Sequence, residues 1–169
     1  EVVNISDLKQ LKTIIKVKDT IDAIASISKN YLSRFKNLKV VGITGSNGKT
    51  TTKDIASHVL SKKKKVLKAK ASFNNNIGIP LTIFELDSSI DVLVLEYGTN
   101  SKGEIKKLTE IAVPDVGVIT NIGRTHMEFF KDEKSVFEEK MDLLKGTKRD
   151  GFAILNTDDK YLKDIPSKI

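Results

Sequence analysis

Apolar positions along the chain follow two alternating rhythms. Short, nearly unbroken apolar runs recur at "LKVVGIT" (38–44), "KVLKA" (65–69), "IDVLVLE" (90–96), "DVGVIT" (115–120) and "GFAILN" (151–156). Runs of this length, rich in Val, Ile and Leu, read as strands. Between them the apolar residues spread to spacings of three and four, the signature of one helical face. This predicts helices over Lys49–Leu60, 77–86, 101–112 and 132–145. A further helix, capped by Asp19 or Thr20, precedes the first strand and carries Ile21, Ile24, Ala25, Leu32 and Phe35 on its apolar face. Apolar strands alternating with helices predict the α/β class, a doubly wound, mostly parallel sheet covered on both faces.

Ligands on such sheets gather outside the carboxyl ends of the strands, so the residues just after each strand carry the chemistry. They are "GSNGKTT" after the first strand, "FNNN" after the second, Glu96 closing the third, and "NIGRTH" after the fourth. The stretch "GITGSNGKTTTKD" (42–54) runs from a strand through a glycine turn into a helix. That arrangement aims backbone N–H groups and the positive end of a helix dipole at one point, where an anion belongs. Lys49 would reach the β- and γ-phosphates of a nucleotide, and the Thr50 hydroxyl would meet its Mg²⁺. The pattern departs from GxxxxGK[ST], whose first glycine would fall on Ile43; GxxGxxGKT stands instead. The GxGxxG spacing of dinucleotide folds is absent, and no acid closes the second strand to hold a ribose.

Glu96 ends a buried strand and reads as a metal-side acid, with a surface glutamate as the alternative. His126 reads as a metal ligand or as a hydrogen-bonding loop residue. His58 falls on a polar helical face and receives no role. On the last helix, Phe137, Met141 and Leu144 form one side of an apolar arc, Val136 and Leu143 form the other, and Lys140 falls between them. Glu138, Glu139, Asp142 and Lys145 are expected to point the opposite way. A lysine in such an arc is either desolvated, which frees its amine as a nucleophile, or snorkels to water.

Composition narrows the class. Among 169 residues, 39% are hydrophobic and 30% charged, which suits one folded domain and excludes disorder. The absence of cysteine excludes disulfides, thiolate metal sites and a thiol nucleophile. No apolar run is long enough for a membrane span or a secretory signal, so a cytoplasmic protein without membrane insertion is expected. The net charge of +7 is concentrated in "SKKKKVLKAK" (61–70), where no aromatic residue interleaves. This reads as a solvated helix end followed by a strand, and no nucleic-acid partner is expected.

Taken together, "GITGSNGKTTTKD", "FNNNIGIPLTIFEL", "LVLEYGTNSKGEI", "VGVITNIGRTHMEFF", "SVFEEKMDLLKG" and "AILNTDD" resemble the central ATPase domain of the Mur ligases. These are ATP-dependent, amide-bond-forming enzymes of bacterial peptidoglycan synthesis. Within the family, "GSNGKTTTKD" and "NNNIGIPLT" look most like the branch that adds D-alanyl-D-alanine (D-Ala-D-Ala) to UDP-N-acetylmuramoyl-tripeptide (UDP-MurNAc-tripeptide). Folylpolyglutamate synthases share the scaffold, but their loop has GKGS where Thr50 and Thr51 stand here.

The resemblance implies that Gly45, Ser46, Asn47, Gly48, Lys49, Thr50 and Thr51 bind ATP, with Lys49 on its phosphates. It implies two Mg²⁺ sites, the first held by Thr50 and Glu96, the second by His126 and a carbamylated (N6-carboxylated) Lys140. Asn76 matches an essential asparagine of the site. The implied chemistry passes through an acyl phosphate that an amine then attacks. Residues 1–17 would be the tail of an N-terminal domain and 18–169 the central ATP-binding domain, with the C-terminal ligase domain lying outside this chain. The chain alone is then expected to be a monomer and catalytically inactive. A P-loop kinase is the more distant alternative, disfavoured because Arg34, Arg124 and Arg149 are the only arginines and none lies in a lid-like insertion.

Overall fold

The five apolar runs form five strands, β1 (Lys39–Thr44), β2 (Val66–Lys68), β3 (Val92–Glu96), β4 (Val116–Ile119) and β5 (Phe152–Leu155). They make one sheet in the order β2-β3-β1-β4-β5, and all four pairings are parallel. The structure is a computed structural model and describes residues 14–125 and 127–165. The five helices are α1 (Thr20–Leu32), α2 (Lys49–Leu60), α3 (Gly78–Ile83), α4 (Glu104–Ile111) and α5 (Glu133–Lys145). The expected doubly wound α/β class is the observed one.

Right-handed crossovers explain where the helices sit. The β1-to-β2 connection runs toward one edge and the β3-to-β4 connection crosses back past β1, so α2 takes one face and α3, α4 and α5 the other. Alternate residues of each strand therefore enter different cores. Ile43, Val92 and Val94 pack beneath α2 with Leu60. Val40, Leu93, Leu95 and Tyr97 pack with Ile79, Ile83, Ile105 and Leu108 of α3 and α4. Near β4 and β5, Ile119 joins Val136, Leu162 and Phe130.

The cover of the α2 face is narrower than the apolar pattern predicts. α2 packs chiefly on β1, β2 and β3, and on β5 Phe152 and Ile154 stand 71% and 54% exposed. Helix ends also differ from the expectation. α2 matches, and Asp19 caps α1 by accepting from the N–H groups of Ile21 and Asp22 at 2.8 and 2.9 Å. α4 begins only at Glu104, because the Glu104 carboxylate turns back to accept from Asn100 N–H (2.6 Å) and Ser101 N–H (3.1 Å), closing a loop where helix was expected. α3 is confined to six residues, entered through the Asn75 side chain, which accepts from Ile77 and Gly78 N–H.

The lysine run behaves as a solvated helix end: residues 61–65 are exposed beyond Leu60, Lys68 pairs with Asp54 at 2.6 Å, and Lys70 pairs with Glu85 at 2.8 Å. Of the expected tail, residues 14–17 are exposed and outside any helix or strand, and 1–13 lie outside the described residues. Among the described residues, no helix is long and apolar enough to cross a membrane.

Candidate functional site

The loop between β1 and α2 is shaped by two glycines. Gly48 is the N-cap of α2 at φ 78°, a left-handed conformation that costs glycine little, and no side chain caps the helix. The first-turn N–H groups of a twelve-residue helix thus face the carboxyl end of the sheet. Gly45 (φ 152°) presses against the segment that follows β4, where a Cβ would fall on Thr120 Oγ1. Part of the expected cradle is already engaged. Ser46 N–H donates to Asn121 O and Asn47 N–H to Asn121 Oδ1, both at 3.0 Å. Ser46 Oγ accepts from Gly123 N–H at 2.8 Å. Asn121 and Gly123 therefore buttress the loop, a role that their position after β4 did not disclose.

Lys49 is half-buried, and its ammonium donates to Gly45 O at 2.8 Å and Ser46 O at 3.3 Å. Burial pulls its pKa below the ordinary lysine value, and the charge of Glu96 opposes that shift. One residue on, Thr50 Oγ1 donates to Glu96 Oε2 at 3.2 Å. Glu96 is 1% exposed, so it is a buried acid and not a surface glutamate. Its partner in charge is Lys53, 2% exposed, whose ammonium lies 3.2 Å from Glu96 Oε1. The two form an ion pair, and Oε1 accepts no hydrogen bond. Lys53 was not singled out from the sequence, although its spacing of three from Thr50 puts both on one helical face.

A carboxylate with an open oxygen beside a hydroxyl is the hard oxygen donor set that suits Mg²⁺. Such an ion is usually held by one or two protein groups plus substrate phosphates. No group of three or more His, Cys, Asp or Glu converges among the described residues. Thr50 and Glu96 fit the ion in this shared mode.

On α5 the buried stripe is Val136, Glu139, Lys140 and Leu143, at helical spacings of three and four. Of the two readings of Lys140 the structure favours the desolvated one: it is 3% exposed, and burial, reinforced by the nearby Lys49 charge and opposed by Glu139, pushes its pKa down to about 8. Glu139 corrects the sequence reading, which turned it toward solvent. Its carboxylate accepts from Ile105 N–H at 2.9 Å, from Gly103 N–H at 2.5 Å and from Thr99 Oγ1 at 3.3 Å. These donors are the open N-terminus of α4 and the loop before it, so burying the carboxylate satisfies them.

The loop, the asparagines after β2 and the β3–α4 segment enclose a cleft of about 380 Å³. Lys49, Asn76, Thr99, Thr125 and Lys140 line it together, and Asn76 is exposed there. Thr50 and Glu96 lie outside that lining and connect to it through Lys49. His126 lies outside the described residues; its neighbour Thr125 lines the cleft, with its hydroxyl 3.4 Å from Ser46 Oγ. His58 is exposed on α2, away from these groups. The structure thus gathers Lys49, Asn76 and Lys140 around one opening, with the Thr50–Glu96 pair beside it.

The arrangement has known counterparts. The Mur ligase middle domain, as a family model, matches residues 43–169. The UDP-N-acetylmuramoyl-tripeptide--D-alanyl-D-alanine ligase of Bacillus subtilis is 41% identical over 154 residues, covering 91% of this chain and 34% of its own length. A crystal structure of MurF from Acinetobacter baumannii superposes with a TM-score of 0.86 at 31% identity, over 90% of this chain and 34% of that one. The MurF ligase of Thermotoga maritima, solved in complex with ADP, superposes with a TM-score of 0.83 at 35% identity, over 94% of this chain and 37% of that one. The chain spans about a third of the length of the curated relatives it matches.

Proposed function

The chain belongs to the Mur ligase family by its middle domain, and from that premise we propose that it is the ATP-binding part of a cytoplasmic ligase joining D-alanyl-D-alanine to UDP-N-acetylmuramoyl-tripeptide. The observation that carries this reading is the Thr50–Glu96 hydrogen bond beneath an uncapped helix N-terminus, with Lys49 between it and the cleft. A polyphosphate with its counter-ion would engage all three. The ADP found on the T. maritima MurF ligase supports the same assignment. The "GKTT" of the loop favours this branch over a folylpolyglutamate synthase, which has GKGS there.

In this reading the α2 N–H groups and Lys49 hold the phosphates, with the Lys49 ammonium exchanging its loop carbonyls for phosphate oxygens. Thr50 and Glu96 would hold the magnesium ion, which supplies charge neutralisation on the transferred phosphoryl group. The γ-phosphorus bond to ADP breaks as a bond forms to an oxygen of the substrate carboxylate. The amine then attacks the acyl carbon, the C–N bond forms, phosphate leaves and the amine gives up a proton. No protein nucleophile is consumed. The chain's own contribution is positioning and fixed positive charge. The amide-forming reaction requires the rest of the protein, and the chain alone is expected to be a monomer that binds nucleotide without turnover.

Calorimetry with ATP·Mg²⁺ tests the core of this. One binding site per chain, lost in Glu96→Gln when magnesium is present, is the expected result. A chain that evolves no heat with ATP·Mg²⁺ overturns it.

Lys140 would hold the second metal together with His126 after adding CO₂ to its amine, while Asn76 lies where substrate would pass. The carbamate forms from the neutral amine, whose fraction rises as pH passes about 8. Labelled bicarbonate should therefore give a carbamate carbon signal that grows from neutral pH to about pH 9 and is missing in Lys140→Met. The same shift has a stability consequence. Between about 8 and the ordinary 10.5, the unfolded chain binds the proton that the folded chain has released, so stability should rise with pH across that window. A flat profile, identical in Lys140→Met, would rule out the buried neutral amine.

A further inference from the structure

Lys53 has no part in phosphoryl transfer as described above, yet its ammonium is almost fully enclosed. Burying such a group is costly unless both its charge and its donors are met. Two donors go to backbone: Ala69 O at 2.9 Å and Ala71 O at 3.2 Å. The charge is met by Glu96 Oε1 at 3.2 Å. Among the described residues the one other acid within ion-pair distance, Asp54 at 3.8 Å, is half-exposed and already paired with Lys68 at 2.6 Å. Glu96, for its part, has no other cation within ion-pair distance among the described residues.

We infer that Lys53 is a positioning residue: its ammonium is the internal counter-ion of the buried Glu96 carboxylate, held beside Oε1 without a hydrogen bond to it. The ammonium gives two of its three donors to Ala69 O and Ala71 O, which fixes its charge beside the carboxylate while Oε1 accepts no hydrogen bond. The same grip reaches the asparagine segment. Ala71 (φ 42°) is the one non-glycine described residue with positive φ, a conformation that costs alanine energy, and Lys53 holds its carbonyl. Ala71 opens the turn leading to Asn74, Asn75 and Asn76 in the cleft wall. One ammonium therefore sets the metal-side acid and the start of the asparagine loop in fixed relation.

A consequence for loading rests on the reading of Glu96 as a metal-side acid. The Lys53–Glu96 pair is neutral as a unit, so a free divalent ion gains little by approaching it. Metal and nucleotide then enter together, the phosphates supplying the missing negative charge.

The charge pair is tested without nucleotide, by thermal midpoints of Lys53→Met, Glu96→Gln and the double variant of the whole chain. Each single variant leaves a buried charge alone and should lower the midpoint, on the order of 10 °C for Lys53→Met. The double variant removes both charges and should recover more than half of the Lys53→Met loss. A backbone tether alone would give no such recovery, so a double variant as unstable as Lys53→Met overturns the inference. A Lys53→Met chain as stable as wild type overturns it too. Should Lys53→Met not fold, the double variant still decides: folding near wild-type stability supports the pair, and failure to fold refutes it.

Electron paramagnetic resonance with Mn²⁺ adds a second readout. The wild-type chain without nucleotide should show no Mn²⁺ site tighter than about 1 mM, in keeping with ions of this kind leaning on substrate phosphates. A tighter site that Glu96→Gln removes refutes the counter-ion. Loss of the ATP assignment alone would leave the midpoint results standing, so the two failures are distinguishable.

Discussion

Lys49→Ala should weaken ATP·Mg²⁺ binding by roughly 100-fold while shifting the thermal midpoint by only a few degrees. The asymmetry follows from what Lys49 now touches. Its ammonium rests on two loop carbonyls, Gly45 O and Ser46 O, beside the cleft that Gly45 and Lys49 line, where water can replace the side chain when it is gone. A triphosphate has no such substitute, since charge-assisted bonds to phosphate are roughly twice as strong as neutral ones. Lys49→Arg should not restore full affinity, because a planar fork cannot occupy the slot of a compact point charge between the loop and α2. Calorimetry on the purified chain measures both variants. Wild-type affinity in Lys49→Ala would remove the phosphate cradle from consideration.

Glu139→Ala should destabilise the fold by about 3 kcal/mol in urea denaturation. Truncation leaves the N–H groups of Gly103 and Ile105 without their acceptor at a helix start that no other side chain caps, and removes the tie between α4 and α5. Each unmet buried donor costs about 1 to 3 kcal/mol, which sets the scale. Glu138→Ala, one residue earlier and exposed, is the control and should stay within about 0.5 kcal/mol of wild type. Equal effects from the two neighbours would mean that Glu139 does not cap α4. Because the Thr99–Gly103 loop lines the cleft, Glu139→Ala should also loosen nucleotide binding, by less than Lys49→Ala does.

These two residues mark where the sequence was legible and where it was not. Lys49 could be read because strand, glycine turn and helix are contiguous, so local pattern alone specifies the cradle. Lys140 could be read because a cation inside an apolar arc has few interpretations. Glu139, Lys53 and Asn121 escaped because their roles depend on partners far along the chain. Glu139 meets donors at Gly103 and Ile105, Lys53 meets a carboxylate at Glu96, and Asn121 accepts from amides at Ser46 and Asn47. A glutamate beside another glutamate looks the same in sequence whether it meets water or a helix end.

The sheet shows the same limit. Strand identity and parallel pairing followed from the apolar runs, whereas the bare stretch at Phe152 and Ile154 follows from how far α2 extends over the sheet. Helix ends were missed by a few residues where a side chain such as Glu104 or Asn75 folds back on the backbone.

The central place of β1 bears on the order in which the molecule can assemble. β1 is flanked by β3 on one side and β4 on the other, and both are synthesised well after it. Closing such distant pairings is the slow part of folding a parallel sheet. The phosphate cradle at the end of β1 is therefore synthesised before the segments that frame it, and it acquires its shape only once Glu96, Thr120 and Asn121 have arrived. Nucleotide can recognise only the finished molecule, so its binding should slow the opening of the whole sheet and protect it against proteolysis, beyond the loop it touches.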